Sequence, residues 1–269
     1  MGTPATLAAS TVAAALQLAS WPAGQAARLA RLAQLLAYRP PPPDPIGLYP
    51  HAAALQEQLR ARLADGNGEA IEEALLHLYA HLHGHEAPYT AAERARKRQT
   101  GGYWCHAGGL SPVLMAPDVL RPDSASIDLG AGNGLQLLLM QSLAPHRLSV
   151  QVEISARMLD SGRALQRWLG VARERVCWVH GDVLNTPVAD YDLVYLYRPV
   201  KPEGPGRAFY QRLARELAGT ARPVIILSIA DCLGDFLPPA FERFSSDGQL
   251  TCYRAPGSCG GGRNSEGVV

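Results

Sequence analysis

Residues 126–134 read Ser-Ile-Asp-Leu-Gly-Ala-Gly-Asn-Gly, a short apolar run that passes through Asp128 into a turn with glycine at every second position. Glycine adopts positive φ without steric cost and has no Cβ, so such a turn lets the backbone approach a ligand closely. A helix predicted to start near Asn133 would add unpaired N–H groups at the same place. The stretch therefore predicts a strand, a nucleotide-type binding turn and a helix.

The spacing of the glycines separates two classes of nucleotide-binding turn. Gly130, Gly132 and Gly134 form G-x-G-x-G, and Leu135 stands where a dinucleotide-binding turn has its third glycine. Enzymes that bind NAD require G-x-G-x-x-G at this point. A nicotinamide-dependent dehydrogenase is therefore the least favoured interpretation.

Two further acids follow the turn, each at the end of an apolar run. Glu153 closes residues 148–152, and Asp182 follows residues 177–181. A carboxylate at the carboxyl end of a parallel strand lies in the crevice of an open α/β sheet, where it accepts hydrogen bonds from vicinal hydroxyls or an exocyclic amine. The three acids together predict a site for a nucleoside-bearing ligand.

With this turn and these acids, the chain resembles the class I S-adenosylmethionine-dependent methyltransferases over residues 112–255, somewhat more than half its length. The resemblance implies S-adenosyl-L-methionine as the cofactor, with Glu153 accepting hydrogen bonds from both ribose hydroxyls and Asp182 holding the adenine amino group. The cofactor-binding residues that it implies are Asp128, Gly130, Ala131, Gly132, Asn133, Gly134, Glu153, Ile154, Gly181, Asp182, Val183 and Tyr195.

Strand and helix patterns alternate after the glycine turn, which is typical of a parallel sheet. We predict an α/β fold, with a doubly wound, mostly parallel seven-stranded sheet, a C-terminal antiparallel hairpin and a preceding N-terminal helical domain. Helices are predicted at residues 155–170 and 209–217, and strands at 191–197 and 224–229. The hairpin strands, 241–244 and 250–253, flank an Asp-Gly turn signal at Asp247.

The first hundred residues show helical periodicity without strand signals. We expect a helical domain at residues 1–100, a methyltransferase domain at 101–254 and a disordered tail at 255–269. The prolines of residues 40–45 predict a stiff connector between two helical pairs. Such helices would cover the substrate side of the crevice or form a homodimer interface, and the sequence leaves both open.

Composition and charge limit the classes of partner that the chain is expected to bind. The chain has 269 residues, of which 47% are hydrophobic, and 25 basic residues stand against 24 acidic ones. No global field attracts a polyanion, so nucleic acid is not an expected partner. No apolar run is long enough to span a membrane, and five cysteines without a C-x-x-C pair suit reduced thiols. These features predict a cytoplasmic protein that acts on a small molecule.

Two clusters precede the glycine turn, one of histidines and one of arginine and lysine residues. His77, His81, His83 and His85 lie near a predicted helix end, where exposed side chains are the expected outcome, and no metal is predicted because the acid of the zinc protease pattern is missing. A basic run follows at Arg94, Arg96, Lys97 and Arg98. It is interpreted as a solvated helix terminus, with contact to an anionic substrate or phosphate as the alternative.

The candidate catalytic residues lie on either side of the glycine turn in the sequence. Residues 101–111 carry glycine pairs around Tyr103, Trp104 and His106, which suits either a lid over the cofactor or aromatic anchors of the helical cap. His106 is the candidate base, and Tyr103 is the second catalytic candidate. Tyr197 is the third, because it lies with Tyr195 on one face of the fourth strand.

The end of that strand narrows the expected reaction. Nucleic-acid N-methyltransferases carry Asn or Asp, Pro-Pro and an aromatic residue here, whereas this chain has Tyr197, Arg198, Pro199 and Val200. Methylation of a base amine is therefore disfavoured, and Arg198 could pair with an anionic group. A small-molecule methyltransferase is the leading hypothesis, and a protein or RNA methyltransferase or a catalytically idle cofactor-binding subunit remain as alternatives.

Overall fold

A computed structural model describes residues 9–18, 22–83, 89–102 and 108–256. The strands of these residues are β1 (Ala125–Leu129), β2 (Leu148–Glu153), β3 (Val176–His180), β4 (Leu193–Tyr197), β5 (Ile225–Ile229), β6 (Glu242–Ser246) and β7 (Leu250–Arg254). The helices are α1 (Ala9–Leu18), α2 (Ala23–Ala37), α3 (Ala52–Asp65), α4 (Gly68–His83), α5 (Ala91–Thr100), α6 (Ser111–Val119), α7 (Leu135–Leu143), α8 (Ala156–Leu169) and α9 (Pro205–Ala218). None of the described helices combines the length and apolarity needed to cross a bilayer.

The strands form one sheet in the order β3-β2-β1-β4-β5-β7-β6. Strands β1 to β5 are parallel, whereas β7 runs antiparallel to both β5 and β6. The predicted α/β fold with a C-terminal antiparallel hairpin is thus confirmed. Because the chain order reverses between β1 and β4, the carboxyl ends of these strands open a crevice.

Alternation along β4 divides the core between the two faces of the sheet. Leu193 and Tyr195 belong to one buried cluster, with α7, α8 and the N-terminal helices. Val194 and Leu196 belong to the other, which α9 covers. Successive side chains of a strand point to opposite faces, so a strand covered on both sides is apolar throughout, as this one is.

The N-terminal helices are fixed to the sheet domain by hydrogen bonds as well as by apolar packing. Arg39 donates to the carbonyl oxygens of Trp168 (2.9 Å) and Leu169 (2.8 Å), and Trp168 Nε1 donates to the carbonyl of Pro40 (2.7 Å). The proline connector is therefore docked on the end of α8. The buried residues of α1 to α4 form one continuous cluster with those of α6 and α7.

Several predicted boundaries differ from the structure, most of all the start of α9, which is Pro205 and not residue 209. Helix α7 begins at Leu135 and not near Asn133, because Gly134 has φ +69 and cannot continue a right-handed helix. Strand β4 begins at Leu193, two residues after the predicted start at residue 191. The predicted tail lies outside the described residues beyond residue 256, as do His85 and residues 103–107.

Candidate functional site

A cleft opens where the carboxyl ends of β1, β2 and β4 meet. It contains ten of the twelve predicted cofactor-binding residues, namely Asp128, Gly130, Ala131, Gly132, Glu153, Ile154, Gly181, Asp182, Val183 and Tyr195. Its cavity volume is about 100 Å³, whereas sites for small ligands have volumes of roughly 300–1,000 Å³. A ligand of nucleoside size therefore requires side chains at the wall of the cleft to move.

The glycine turn forms the floor of the cleft. The amides of Gly130 and Ala131 donate to the carbonyl of Val152 (3.0 and 2.9 Å), which fixes the turn against β2. Gly130 and Gly132 have φ values of +90 and +58. Both values lie in the region that only glycine enters at little cost, so the sequence G-x-G follows from the shape of the turn.

Glu153 is clamped by this turn. Its Oε2 accepts from the amide of Gly132 (2.9 Å) and its Oε1 from the amide of Ser155 (2.9 Å). Burial raises the pKa of Glu153, and the two amide hydrogen bonds oppose that rise by favouring the charged form. Each oxygen keeps a further lone pair, so the carboxylate can accept hydrogen bonds from two hydroxyls of a ligand.

Asp128 provides a second buried carboxyl group in the same cleft. It is 2% exposed, and burial together with the nearby charge of Glu153 raises its pKa well above the ordinary value. The register pairs Asp128 with Tyr195 across β1 and β4. An additional donor or cation in the cleft would favour the ionised form of Asp128.

Asp182 is already engaged by protein groups. Its Oδ1 accepts from the amide of Leu184 (2.9 Å). Its Oδ2 accepts from Arg96 of α5, at 2.8 Å from Nε and 2.7 Å from the nearer terminal nitrogen. The predicted contact between Asp182 and an adenine amino group therefore competes with the ion pair to Arg96, which no sequence pattern predicted.

Two of the predicted cofactor-binding residues point away from the cleft. The side chain of Asn133 is buried and donates to the carbonyl of Leu82 (2.7 Å), at the end of α4. A Cβ on Gly134 would lie 2.7 Å from the ring of Trp178. Neither residue lines the cleft in this structure: Asn133 contacts the end of α4, and Gly134 packs against Trp178 of β3.

Of the predicted catalytic residues, Tyr197 lines the cleft beside Tyr195. The hydroxyl of Tyr195 is buried and has no hydrogen-bond partner within the described residues, and burial raises its pKa well above the ordinary value. It therefore stays protonated and can donate to a ligand. Tyr103 and His106 lie outside the described residues, so their predicted roles stay predictions.

His83 reaches the cleft, contrary to the expectation that the histidine cluster is solvent-exposed. Its ring contacts Tyr79 edge-on, with centroids 5.8 Å apart, and burial lowers its pKa to about 4. The imidazole is therefore neutral at pH 7. His81 instead accepts from the amide of His51 (3.1 Å), His77 is exposed, and no group of metal-ligating side chains occurs among the described residues.

The remaining wall comes from α5 and the segment after β4. Tyr89, Lys97, Thr100 and Gly102 line it on one side, and Arg198, Pro199 and Val200 on the other. A bridge between Gly102 and Val200 and a hydrogen bond from the Lys201 amide to the Gly101 carbonyl (2.9 Å) join the two sides. Sequence patterns had marked Lys97, Gly102 and residues 198–200, but not Tyr89 or Thr100, which reach the wall only through tertiary packing.

The strand order, with an antiparallel β7 beside β5, is that of the class I methyltransferases. Acids at the ends of β1 and β2 agree with it. The chain has the class I methyltransferase fold. No family model matches the sequence. No match is found among curated proteins.

Solved structures that resemble this methyltransferase fold do exist. One is an RNA methyltransferase from Salinibacter ruber in complex with S-adenosyl-L-homocysteine, with 22% identity and a TM-score of 0.41 over 54% of this chain and 88% of that one. TrmN from Thermus thermophilus has 19% identity and a TM-score of 0.40 over 54% and 46%. A protein from Methanococcus maripaludis named as an S-adenosyl-L-methionine-dependent methyltransferase has 12% identity and a TM-score of 0.43 over 54% and 84%.

Proposed function

We propose that the chain is an S-adenosyl-L-methionine-dependent methyltransferase that acts on an O, N or C nucleophile of a small molecule. The observation that carries the proposal is the clamp on Glu153, whose two oxygens are held by the amides of Gly132 and Ser155. The clamp orients the carboxylate while leaving lone pairs for two ribose hydroxyls. Asp128 and Asp182 line the same cleft.

The residues present fit the cofactor at the level of donors, acceptors and backbone shape. Gly132 lines the cleft with φ +58, a conformation that glycine adopts without strain, so its backbone can face a ligand closely. Tyr195 adds a buried hydroxyl that lacks a partner within the described residues. Asp182 would hold the adenine amino group once Arg96 moves aside or shares the carboxylate.

When bound, the cofactor supplies a methyl group that its sulfonium already activates. The chain therefore has to place the nucleophile in line with the carbon–sulfur bond and exclude water. Tyr195 can donate a hydrogen bond to the substrate, and the neutral His83 ring can accept a hydrogen bond from a hydroxyl nucleophile. Tyr197 supplies aromatic surface that favours a nearby cation, whereas the ring of Tyr89 already has Lys97 Nζ 4.4 Å from its centroid.

The test is calorimetric binding of S-adenosyl-L-methionine and S-adenosyl-L-homocysteine to the wild type, Glu153→Ala and Gly132→Val. Glu242→Ala controls for loss of a carboxylate, because Glu242 is exposed at the sheet edge, and Gly66→Ala controls for strain at positive φ without a neighbour. Binding lost only in the two cleft variants, with each fold checked by circular dichroism, supports the proposal. A folded wild type that binds neither ligand overturns it.

Turnover on a panel of small nucleophiles tests the substrate class. Methyl transfer to a small hydroxyl, amine or carbon acid is expected. Incorporation into protein or RNA alone would place the substrate among macromolecules. Tight binding of both ligands without turnover on any acceptor would instead favour a cofactor-binding subunit that acts through a partner.

A further inference from the structure

A second cavity of about 770 Å³ adjoins the cofactor cleft. One of its walls is the second half of α5 with Gly101 and Gly102, and the other is the segment 201–205 that leads into α9. Lys97 and Gly102 line both cavities, so the two spaces are adjacent. A molecule in the second cavity would therefore lie next to the cleft.

The second cavity, which we call the basic groove, concentrates positive charge. Four cations line it, Arg94, Lys97, Arg98 and Lys201, against the single carboxylate of Glu203. The whole chain has a net charge of only +1, so this clustering is local. An anion in such a groove gains from several cations at once, and the gain rises as the groove loses water.

Three of these cations, Arg94, Arg98 and Lys201, form no ion pair with an acid of the described residues. Arg96, on the same helix as the two arginines, is paired with Asp182. Arg94 and Arg98 are four residues apart on α5 and repel each other. An anionic ligand would relieve that repulsion.

The backbone holds the groove in shape. The Lys201 amide donates to the Gly101 carbonyl (2.9 Å), and a Cβ on Gly101 would lie 3.7 Å from the Cβ of Lys201. A Cβ on Gly102 would lie 2.6 Å from Cγ of Lys97, so the lysine stem packs directly on the glycine backbone. The backbones of the two walls are therefore joined, and the stem of Lys97 is packed against one of them, while Arg94, Arg98 and Lys201 are exposed.

On this basis we propose that the methyl-accepting substrate is a small phosphate ester whose phosphate binds in the basic groove while its nucleophile reaches the cleft. The proposal rests on the proposed methyltransferase function and names its substrate class. Arginine pairs with two phosphate oxygens at once, and lysine adds a point charge. A bounded cavity of this size suits a small ligand, whereas RNA would need a longer basic track.

The test uses inorganic pyrophosphate as the probe, with binding measured by calorimetry on the full chain at low and moderate ionic strength. We compare the wild type with Arg98→Gln/Lys201→Gln and with the control Arg173→Gln/Arg243→Gln, which removes two exposed cations outside the groove. The groove variant is expected to bind pyrophosphate at least about tenfold more weakly. The control variant should match the wild type.

Binding of S-adenosyl-L-homocysteine to the same three proteins separates this inference from the proposed function. If all three bind it but the wild type does not bind pyrophosphate, or both double variants lose pyrophosphate equally, the groove proposal is overturned and the cofactor site stands. A single-stranded RNA of about 16 nucleotides provides the last arm. Its binding much more tightly than pyrophosphate, with loss in the groove variant, would overturn the small-substrate assignment.

Discussion

Arg96 of α5 donates from Nε to Oδ2 of Asp182 over 2.8 Å, across 86 residues of sequence. Asp182 is the acid that the motif pattern assigns to an adenine amino group, so the cofactor site and α5 compete for one carboxylate. The arginine side chain is 47% exposed and the aspartate 17%. An ion pair this accessible contributes about 0–1 kcal/mol, which a ligand can displace.

The first prediction concerns that competition. Arg96→Gln should bind S-adenosyl-L-homocysteine more tightly than the wild type, by up to about fivefold, because at most about 1 kcal/mol of ion pairing has to be broken. Calorimetry measures the change, and Arg96→Lys, which keeps the charge, serves as the matched control. Weaker binding by Arg96→Gln would show that the guanidinium belongs to the ligand site.

The second prediction follows from the raised pKa of Asp128, which burial and the nearby Glu153 charge cause. A carboxyl group whose pKa is raised by folding binds its proton more tightly in the folded state, so its ionisation lowers the free energy of unfolding as pH rises above the unfolded pKa of about 3.9. Asp128→Asn removes that ionisation. The ligand-free variant should therefore have a higher Tm than the wild type at neutral pH.

The difference in Tm should shrink as pH falls, because the wild-type carboxyl becomes protonated. Thermal unfolding between mildly acidic and neutral pH measures it, with Asp123→Asn as the exposed control. A Tm difference that is constant with pH would show that Asp128 does not titrate as its burial indicates. The same variant should bind S-adenosyl-L-homocysteine more weakly, since a charged acceptor of the cleft is lost.

The strands and the acids at their ends could be predicted from the sequence, because strand ends and turn geometry depend on residues that are close in sequence. The apolar run ending at Glu153 and the glycines after Asp128 fixed where two carboxyl groups meet, and the structure brings both to one cleft. The positions of His83 and Arg96 at the cleft were not predicted, because they depend on how α4 and α5 pack against strands that are distant in sequence. No periodicity encodes that packing.

The contact that the Asn133 side chain makes with α4 was not predicted, for a related reason. The position of Asn133 in the motif is local, but the direction of its side chain is set by the Leu82 carbonyl at the end of α4, 51 residues earlier. The amide satisfies a buried acceptor there, which would otherwise cost about 1–3 kcal/mol. A backbone pattern thus located the turn but not which of its side chains face the ligand.

The third prediction separates the roles of the glycines in the turn. Gly134→Ala should lower the free energy of unfolding by about 3 kcal/mol or more, because strain at φ +69 adds to a Cβ that meets the Trp178 ring at 2.7 Å. Gly66→Ala has similar strain at φ +72 with nothing within 4 Å, and should cost only about 1–2 kcal/mol. Urea unfolding compares them. Equal losses would show that Trp178 yields without cost.

The last prediction contrasts two buried tyrosines of one cluster. Tyr79 donates a hydrogen bond to Oε1 of Gln136. Tyr79→Phe leaves that buried oxygen without this donor, which should lower the free energy of unfolding by about 1–3 kcal/mol. The Tyr195 hydroxyl has no partner within the described residues, so Tyr195→Phe should leave the Tm unchanged or raise it. Thermal unfolding of the ligand-free proteins measures both changes.

If the Tyr195 hydroxyl donates to a bound ligand, Tyr195→Phe should lower methyl transfer or ligand affinity without lowering the Tm. A buried donor without a partner is retained at a cost that binding can recover, because the ligand then provides the missing acceptor. Methyl transfer, or ligand affinity until an acceptor is known, should fall in Tyr195→Phe while its Tm holds. A variant that is both less stable and fully active would show that the hydroxyl supports the fold and takes no part in binding.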